Sequence, residues 1–245
     1  MIRLPLAPKY LANPIIVILI AFIGYGFEPA SSELLRYHFD QINLGEYWRL
    51  ITGNFLHTNF VHLLLNCAGV LFIWVLHAEH FTVKSYFLVL IACCFGNAVG
   101  LYLFSDMQSY VGLSGALHGV IAWGAIKDIK TGERSGEWLL IGLIVKVAFE
   151  NLVGPSDSVK ELIGAEVAVE AHLFGLVTGM VIAVPYLYHL LIYGPDTPTW
   201  LQKKMKRTKA VNRARGLKRA ERGERAGRTK RARQAMRGRR VNSTN

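Results

Sequence analysis

Ser114, His62, Asn66 and His172 stand inside apolar runs where a purely structural helix has no use for polar side chains. A serine hydroxyl becomes a nucleophile when a histidine takes its proton, and acyl transfer then needs hydrogen-bond donors for the oxyanion. Taken alone, the stretch YVGLSGALHGV (residues 110–120) reads first as a packing motif. Gly115 and Gly119 form G-x-x-x-G, which leaves one helix face bare and lets another helix approach at backbone distance. The hydrolase elbow G-x-S-x-G is excluded, because Ala116 sits where its second glycine belongs. His172 is followed by a second such face, Gly175 and Gly179. Two bare faces bring Ser114 and His172 within hydrogen-bond reach. His62 and Asn66, four residues apart, share a helix face beside them. No carboxylate lies one turn from His172 on its own helix, where Ala168, Val169, Gly175 and Leu176 stand. The expected machinery is therefore a Ser-His dyad. His62, Asn66 and the Ser114 backbone N–H are its oxyanion donors.

The elements that must position these groups are membrane spans. The chain has 245 residues, of which 52% are hydrophobic. Six apolar runs approach or reach the roughly 17–25 residues a bilayer requires: 10–27, 57–77, 85–104, 110–126, 137–153 and 167–193. The first has Arg3 and Lys9 ahead of it but no small-residue cleavage site after it, so it reads as a span and not as a signal peptide. Lys and Arg placement gives the orientation. With the N-terminus cytoplasmic, the inner segments carry Arg3, Lys9, Lys84, Lys127, Lys130, Arg134 and the whole tail. The outer ones carry Arg36, Arg49 and Lys160. Both termini are expected in the cytoplasm. The second, fourth and sixth spans then begin on the outer side. At ~1.5 Å per residue, His62, Ser114 and His172 each lie roughly 6–9 Å below that face. The Trp48-Arg49 pair in the long first outer loop suits the membrane interface.

Charge divides the chain in two. Residues 199–245 hold 18 Lys and Arg against 2 acidic residues, a net of +16, while residues 1–198 carry a net of −5. The expected domains are a six-helix membrane domain (1–198) and a basic, disordered cytoplasmic tail (199–245). Cys67, Cys93 and Cys94 lie in apolar runs and read as packing residues, not as a disulfide framework. No cofactor and no metal is expected.

In their order and spacing these residues resemble the rhomboid intramembrane serine proteases. The likeness covers Trp48-Arg49, His57, His62 and Asn66, then Gly112-x-Ser114-Gly115, then Ala171-His172 with Gly175 and Gly179. It implies an all-α membrane protein, a six-transmembrane-helix bundle. It also implies Ser114 as nucleophile, His172 as base, an oxyanion hole lined by His62 and Asn66, and a supporting histidine at His57. The wording around the serine looks most like the rhombosortase subgroup. That implies substrates with C-terminal sorting tails: small residues such as Gly-Gly, one transmembrane helix and a basic end. Such substrates would be cut near the outer face. The resemblance also implies a bacterial inner (cytoplasmic) membrane. The competing function is a non-catalytic relative that binds or escorts transmembrane helices. A channel or transporter is weaker, with no broken-helix repeat and no carboxylate ring.

Five further polar residues have readings that compete with a catalytic role. His118, one turn after Ser114, resembles a base, but an i, i+4 histidine usually points past the serine oxygen, and by family likeness it stacks on the catalytic histidine. Lys146 and Glu150 read as a neutralising pair, or alternatively as a polar seam near the substrate gate. His77 and His189 read as interface residues at cytoplasmic ends. Partners are transmembrane protein substrates, with anionic lipid at the basic tail. No nucleic acid is expected, since the tail has no aromatic residue after Trp200 for base stacking.

Overall fold

The computed structural model describes residues 4–185. His189, the end of the sixth apolar run and the basic tail lie outside the described residues. In chain order the elements are α1 (Pro8–Gly26), α2 (Ala30–Leu35), β1 (Tyr37–His38), α3 (Phe39–Asn43), α4 (Arg49–Thr52), α5 (Phe60–His77), α6 (Val83–Phe104), β2 (Ser109–Tyr110), α7 (Ser114–Lys130), α8 (Ser135–Val153), α9 (Asp157–Ile163) and α10 (Val169–Ile182). The only strand pairing among the described residues is antiparallel, Tyr37 opposite Tyr110. It pins the loop between α1 and α5 to the chain just ahead of Ser114.

Three helices are long and apolar enough to cross a membrane by themselves: α1, α5 extended to His80, and α6. A fourth span follows if α8 and α9, bent by 88°, are taken together. The sequence suggests six spans. Of the two remaining runs, α7 is 17 residues long and α10 is described over 14, up to the limit of the described residues. Helix α7 lies inside the bundle. Most of its residues are buried, so protein and not lipid surrounds it. Large apolar side chains are exposed instead on the outer helices. Examples are Ile15, Leu19 and Ile23 of α1, Leu64 and Phe72 of α5, Leu88 and Phe95 of α6, and Ile141, Val145 and Phe149 of α8. A water-soluble surface rarely carries that much apolar area.

Glycines set the central contact, between α7 and α10. A Cβ on Gly175 would lie 1.8 Å from the Gly115 carbonyl oxygen, and one on Gly179 would lie 2.0 Å from that of Gly119. The two bare faces therefore interleave at backbone distance, as their spacing suggests. A third pair, Gly96 and Gly100 of α6, receives Thr178 and Phe174 of α10 in the same way.

Polar groups fasten the loop between α1 and α5. The buried Arg49 does not face the interface as expected. Its guanidinium donates to the Glu33 and Arg36 carbonyls at 2.8 and 2.9 Å and to Glu46 Oε2 at 2.5 Å. Loop carbonyls with no helical partner thus find donors. Trp48, half exposed, donates to the Leu34 carbonyl at 3.0 Å. Burial, then Tyr102, push the Tyr37 phenol up to about 12, which keeps this anchor neutral. Beneath it the fully buried Asn97 of α6 donates to Asn54 Oδ1 at 2.9 Å and to the Tyr110 hydroxyl at 3.3 Å. Tyr110 in turn donates to the Gly112 carbonyl.

Candidate active site

Gly112 has a φ of +127°, a conformation that ends any helix and is open to glycine. Helix α7 therefore starts at Ser114 and not at residue 110. His62 is the third residue of α5 and His172 the fourth of α10. The three residues share one end of the bundle, as expected, but each occupies the first turn of its helix and not a point four to six residues in. First-turn N–H groups have no intrahelical partner, so the Ser114 end of α7 offers backbone donors.

The Ser114 hydroxyl lies 3.0 Å from His172 Nε2. His172 Nδ1 lies 2.9 Å from Glu150 Oε2. The expected dyad rests on there being no carboxylate one turn away on the helix of His172. The carboxylate comes from α8, the neighbouring helix, and a search confined to α10 misses it. Glu150 Oε1 accepts from Lys146 Nζ at 2.7 Å, and Lys146 Nζ lies 3.2 Å from His118 Nε2. His118 Nδ1 lies 2.7 Å from the Ser114 carbonyl oxygen. The His118 and His172 rings stack, with centroids 4.2 Å apart and planes 18° apart.

These contacts fix the protons. A carboxylate and a carbonyl only accept, and an ammonium only donates. His172 therefore carries a proton on Nδ1, and its neutral ring would present a lone pair at Nε2 to the Ser114 hydroxyl. His118 carries its proton on Nδ1 and accepts from Lys146 at Nε2. Both of its nitrogens are engaged, and neither bonds the Ser114 hydroxyl. His118, Glu150 and His172 also bring together donor atoms of the kind that bind metals. The Lys146 ammonium already fills the cationic place among them.

On the opposite wall stand His62 and Asn66. Asn59 caps α5 by accepting from the His62 backbone N–H at 2.8 Å, which seats His62 at the helix mouth. The His62 ring meets Thr58 with Nδ1, at 3.1 Å from the hydroxyl and 3.4 Å from the backbone nitrogen. Its other nitrogen turns to the Gly112 backbone, where a Cβ would come within 2.9 Å. Asn66 Nδ2 donates one hydrogen to the His62 carbonyl at 3.0 Å and keeps the other. His57, buried, packs edge-on against His62 with centroids 5.1 Å apart. Gly115 holds the backbone crossing below Ser114 and contributes no side chain. Ser114, His62, Asn66, His118, Glu150 and His172 line one cavity of about 340 Å³, and α9 contributes Val159 and Ile163 to its wall. The α9 end is tied down by Thr58 Oγ1 to the Ile163 carbonyl (2.7 Å) and Asn59 Nδ2 to the Leu162 carbonyl (3.0 Å).

The Rhomboid domain profile matches residues 44–189, which include every side chain of this site. The chain belongs to the rhomboid family. Among curated proteins it is 31% identical over 142 residues to the putative rhomboid protease YdcA of Bacillus subtilis (strain 168), covering 57% of this chain and 67% of that protein. It is 28% identical over 139 residues to the rhomboid protease GlpG of Photorhabdus laumondii, covering 57% of this chain and 47% of that protein. The family is integral to the membrane and multi-pass, and rhomboid proteases are serine proteases that act within it. Glu150 and Lys146 line the cavity and are residues that the motif spacing does not reveal. In this rhomboid the only sequence signal for the two was their charge inside an apolar run.

Proposed function

We propose that this rhomboid is an intramembrane serine endopeptidase, with Ser114 as nucleophile and His172 as general base. The observation that carries the reading is the line Lys146–Glu150–His172–Ser114, which delivers a hydroxyl and an accepting imidazole into a cavity walled by amide and imidazole donors. His172 Nε2 takes the Ser114 proton as Oγ attacks a peptide carbonyl. Glu150 holds the ring in the required tautomer and balances the imidazolium charge. The oxyanion collects the Ser114 backbone N–H, the free Asn66 N–H and His62 Nε2–H, each worth about 3 kcal/mol in the transition state. His172 returns the proton to the leaving amine, leaving an acyl-Ser114. Water, activated by the same imidazole, then releases a carboxylic acid and restores the serine. His118 stacks on His172 and supports it, and His57 backs His62.

The finer readings rest on the same site. Six spans with both termini cytoplasmic place the serine toward the outer face of a bacterial inner membrane. The stretch around Ser114 favours rhombosortase-like substrates, whose small residues unwind at low cost; Gly is about 1 kcal/mol less helical than Ala. The basic tail (199–245) meets anionic lipid on the cytoplasmic side. A transmembrane substrate carrying Gly-Gly before its helix tests the whole reading, with products mapped by mass spectrometry. Cleavage at the small residues, lost in Ser114→Ala, is the expected result. A helix-binding protein without catalysis would capture the substrate intact.

A further inference from the structure

The far end of α7 holds a second cluster that the proposed proteolytic chemistry does not use. We propose that His77, His80 and Asp128 bind a divalent transition-metal ion, with Zn²⁺ the best match to their donors. The sequence reads His77 as an interface residue, but its side chain is fully buried, at 0% exposure. Neither of its ring nitrogens makes a hydrogen bond with a described residue. Buried polar atoms are nearly always satisfied, and an exception calls for an occupant such as an ion.

The geometry supplies the rest of the donor set. His77 Nδ1 lies 3.4 Å from Asp128 Oδ2, out of line for a hydrogen bond. His80 Nε2 lies 2.5 Å from Asp128 Oδ1. One donor atom from each of the three residues falls within 4.8 Å of the others. Ligands at roughly 2.0–2.1 Å from a tetrahedral zinc stand about 3.4 Å apart, so the His77–Asp128 spacing already suits an ion. The His80–Asp128 pair holds a proton where the ion would sit and must open by about 1 Å. Two imidazoles and a carboxylate match zinc sites that keep a fourth position for water. That position has access to solvent, since the His80 and Asp128 side chains are 15% and 14% exposed.

The fold keeps His77 in place. A Cβ on Gly124, one turn before Asp128 on α7, would lie 2.5 Å from His77 Cδ2 and 2.6 Å from Cγ. The missing side chain is the space that the ring fills. Fourteen residues separate Asp128 from Ser114 on one helix, about 21 Å along its axis. An ion here would clip the end of α5 to the end of α7, away from the serine.

The test uses full-length, tag-free protein in detergent, stripped with chelator and carrying His172→Ala. That change takes one donor from the His118, Glu150 and His172 group, the second such cluster among the described residues. Co²⁺ is titrated as the optical probe, Zn²⁺ is added as competitor, and thermal unfolding is recorded with and without Zn²⁺. Expected are one saturable equivalent of Co²⁺ with a visible d–d band, its displacement by Zn²⁺, and a higher melting temperature with Zn²⁺. Asp128→Asn, close in shape, and His80→Ala, at the rim, should each weaken binding about 100-fold or more. Loss of a mere outer partner of a metal ligand already costs about 10–100-fold. A lack of saturable binding in the His172→Ala protein overturns the site and leaves a proton-bridged polar clamp. Undiminished binding in either second variant overturns it as well.

Discussion

Glu150→Gln is the substitution that separates a serine–histidine pair from a three-residue relay. The wild-type carboxylate accepts from His172 Nδ1 at 2.9 Å and from Lys146 at 2.7 Å. Glutamine keeps the shape but has one accepting atom. Facing its NH₂ toward Lys146 would set donor against donor, so its oxygen turns to the ammonium and its NH₂ to His172. His172 Nδ1 must then accept, its proton moves to Nε2, and the Ser114 hydroxyl loses its acceptor. A hydrogen bond to a charged group is worth about 1.5–3 kcal/mol, or about 10- to 150-fold in rate. The tautomer inversion pushes the loss upward; in a soluble Ser-His-Asp protease the matching change costs ~10⁴-fold. Glu150 is 18% exposed, so water screens part of its charge. We expect kcat for a transmembrane substrate to fall ~10²-fold with KM little changed. Lys146→Met added to Glu150→Gln frees the amide oxygen to face His172, and the double variant should recover part of the loss. The assay is steady-state cleavage in detergent, with thermal unfolding as the control. A Glu150→Gln protein within roughly threefold of wild type, or no recovery in the double variant, would refute the relay.

Gly175→Ala should lower stability sharply and abolish activity, because its Cβ would lie 1.8 Å from the Gly115 carbonyl oxygen; overpacking of this kind costs about 1–3 kcal/mol or more, read as a drop in melting temperature. His118→Phe keeps the ring on His172 but loses the contacts to Lys146 and the Ser114 carbonyl, so it should retain part of the activity. A loss as complete as in His172→Ala would make His118 the base. Gly112→Ala strains a φ of +127° and presses on the His62 ring, so kcat should fall more than the melting temperature.

Much of the site was legible because its members repeat one local pattern. Ser114 and His172 each sit beside a G-x-x-x-G face, and bare faces at matching offsets dictate which helices touch. His62 and Asn66 share one face of one helix. Glu150 was not legible as a partner of His172. It lies 22 residues away on a helix whose rotation no motif records, and its i, i−4 neighbour Lys146 offered a self-sufficient ion pair. Arg49 looked like an interface residue because the carbonyls that bind it belong to an irregular loop, which periodicity does not describe. His77 was misread for a related reason: the hollow that buries it is the absent side chain of Gly124 on another helix. The start of α7 moved to Ser114 because the backbone at Gly112 is set by its contacts with Tyr110 and His62, not by hydropathy.

The most direct test of the central reading is to label purified protein with a fluorophosphonate and map the adduct by mass spectrometry. The expected adduct is on Ser114 of the wild-type protein, slowed in Glu150→Gln and absent in a folded His172→Ala variant. An adduct on another residue, or one on Ser114 that forms equally fast without His172, would contradict it.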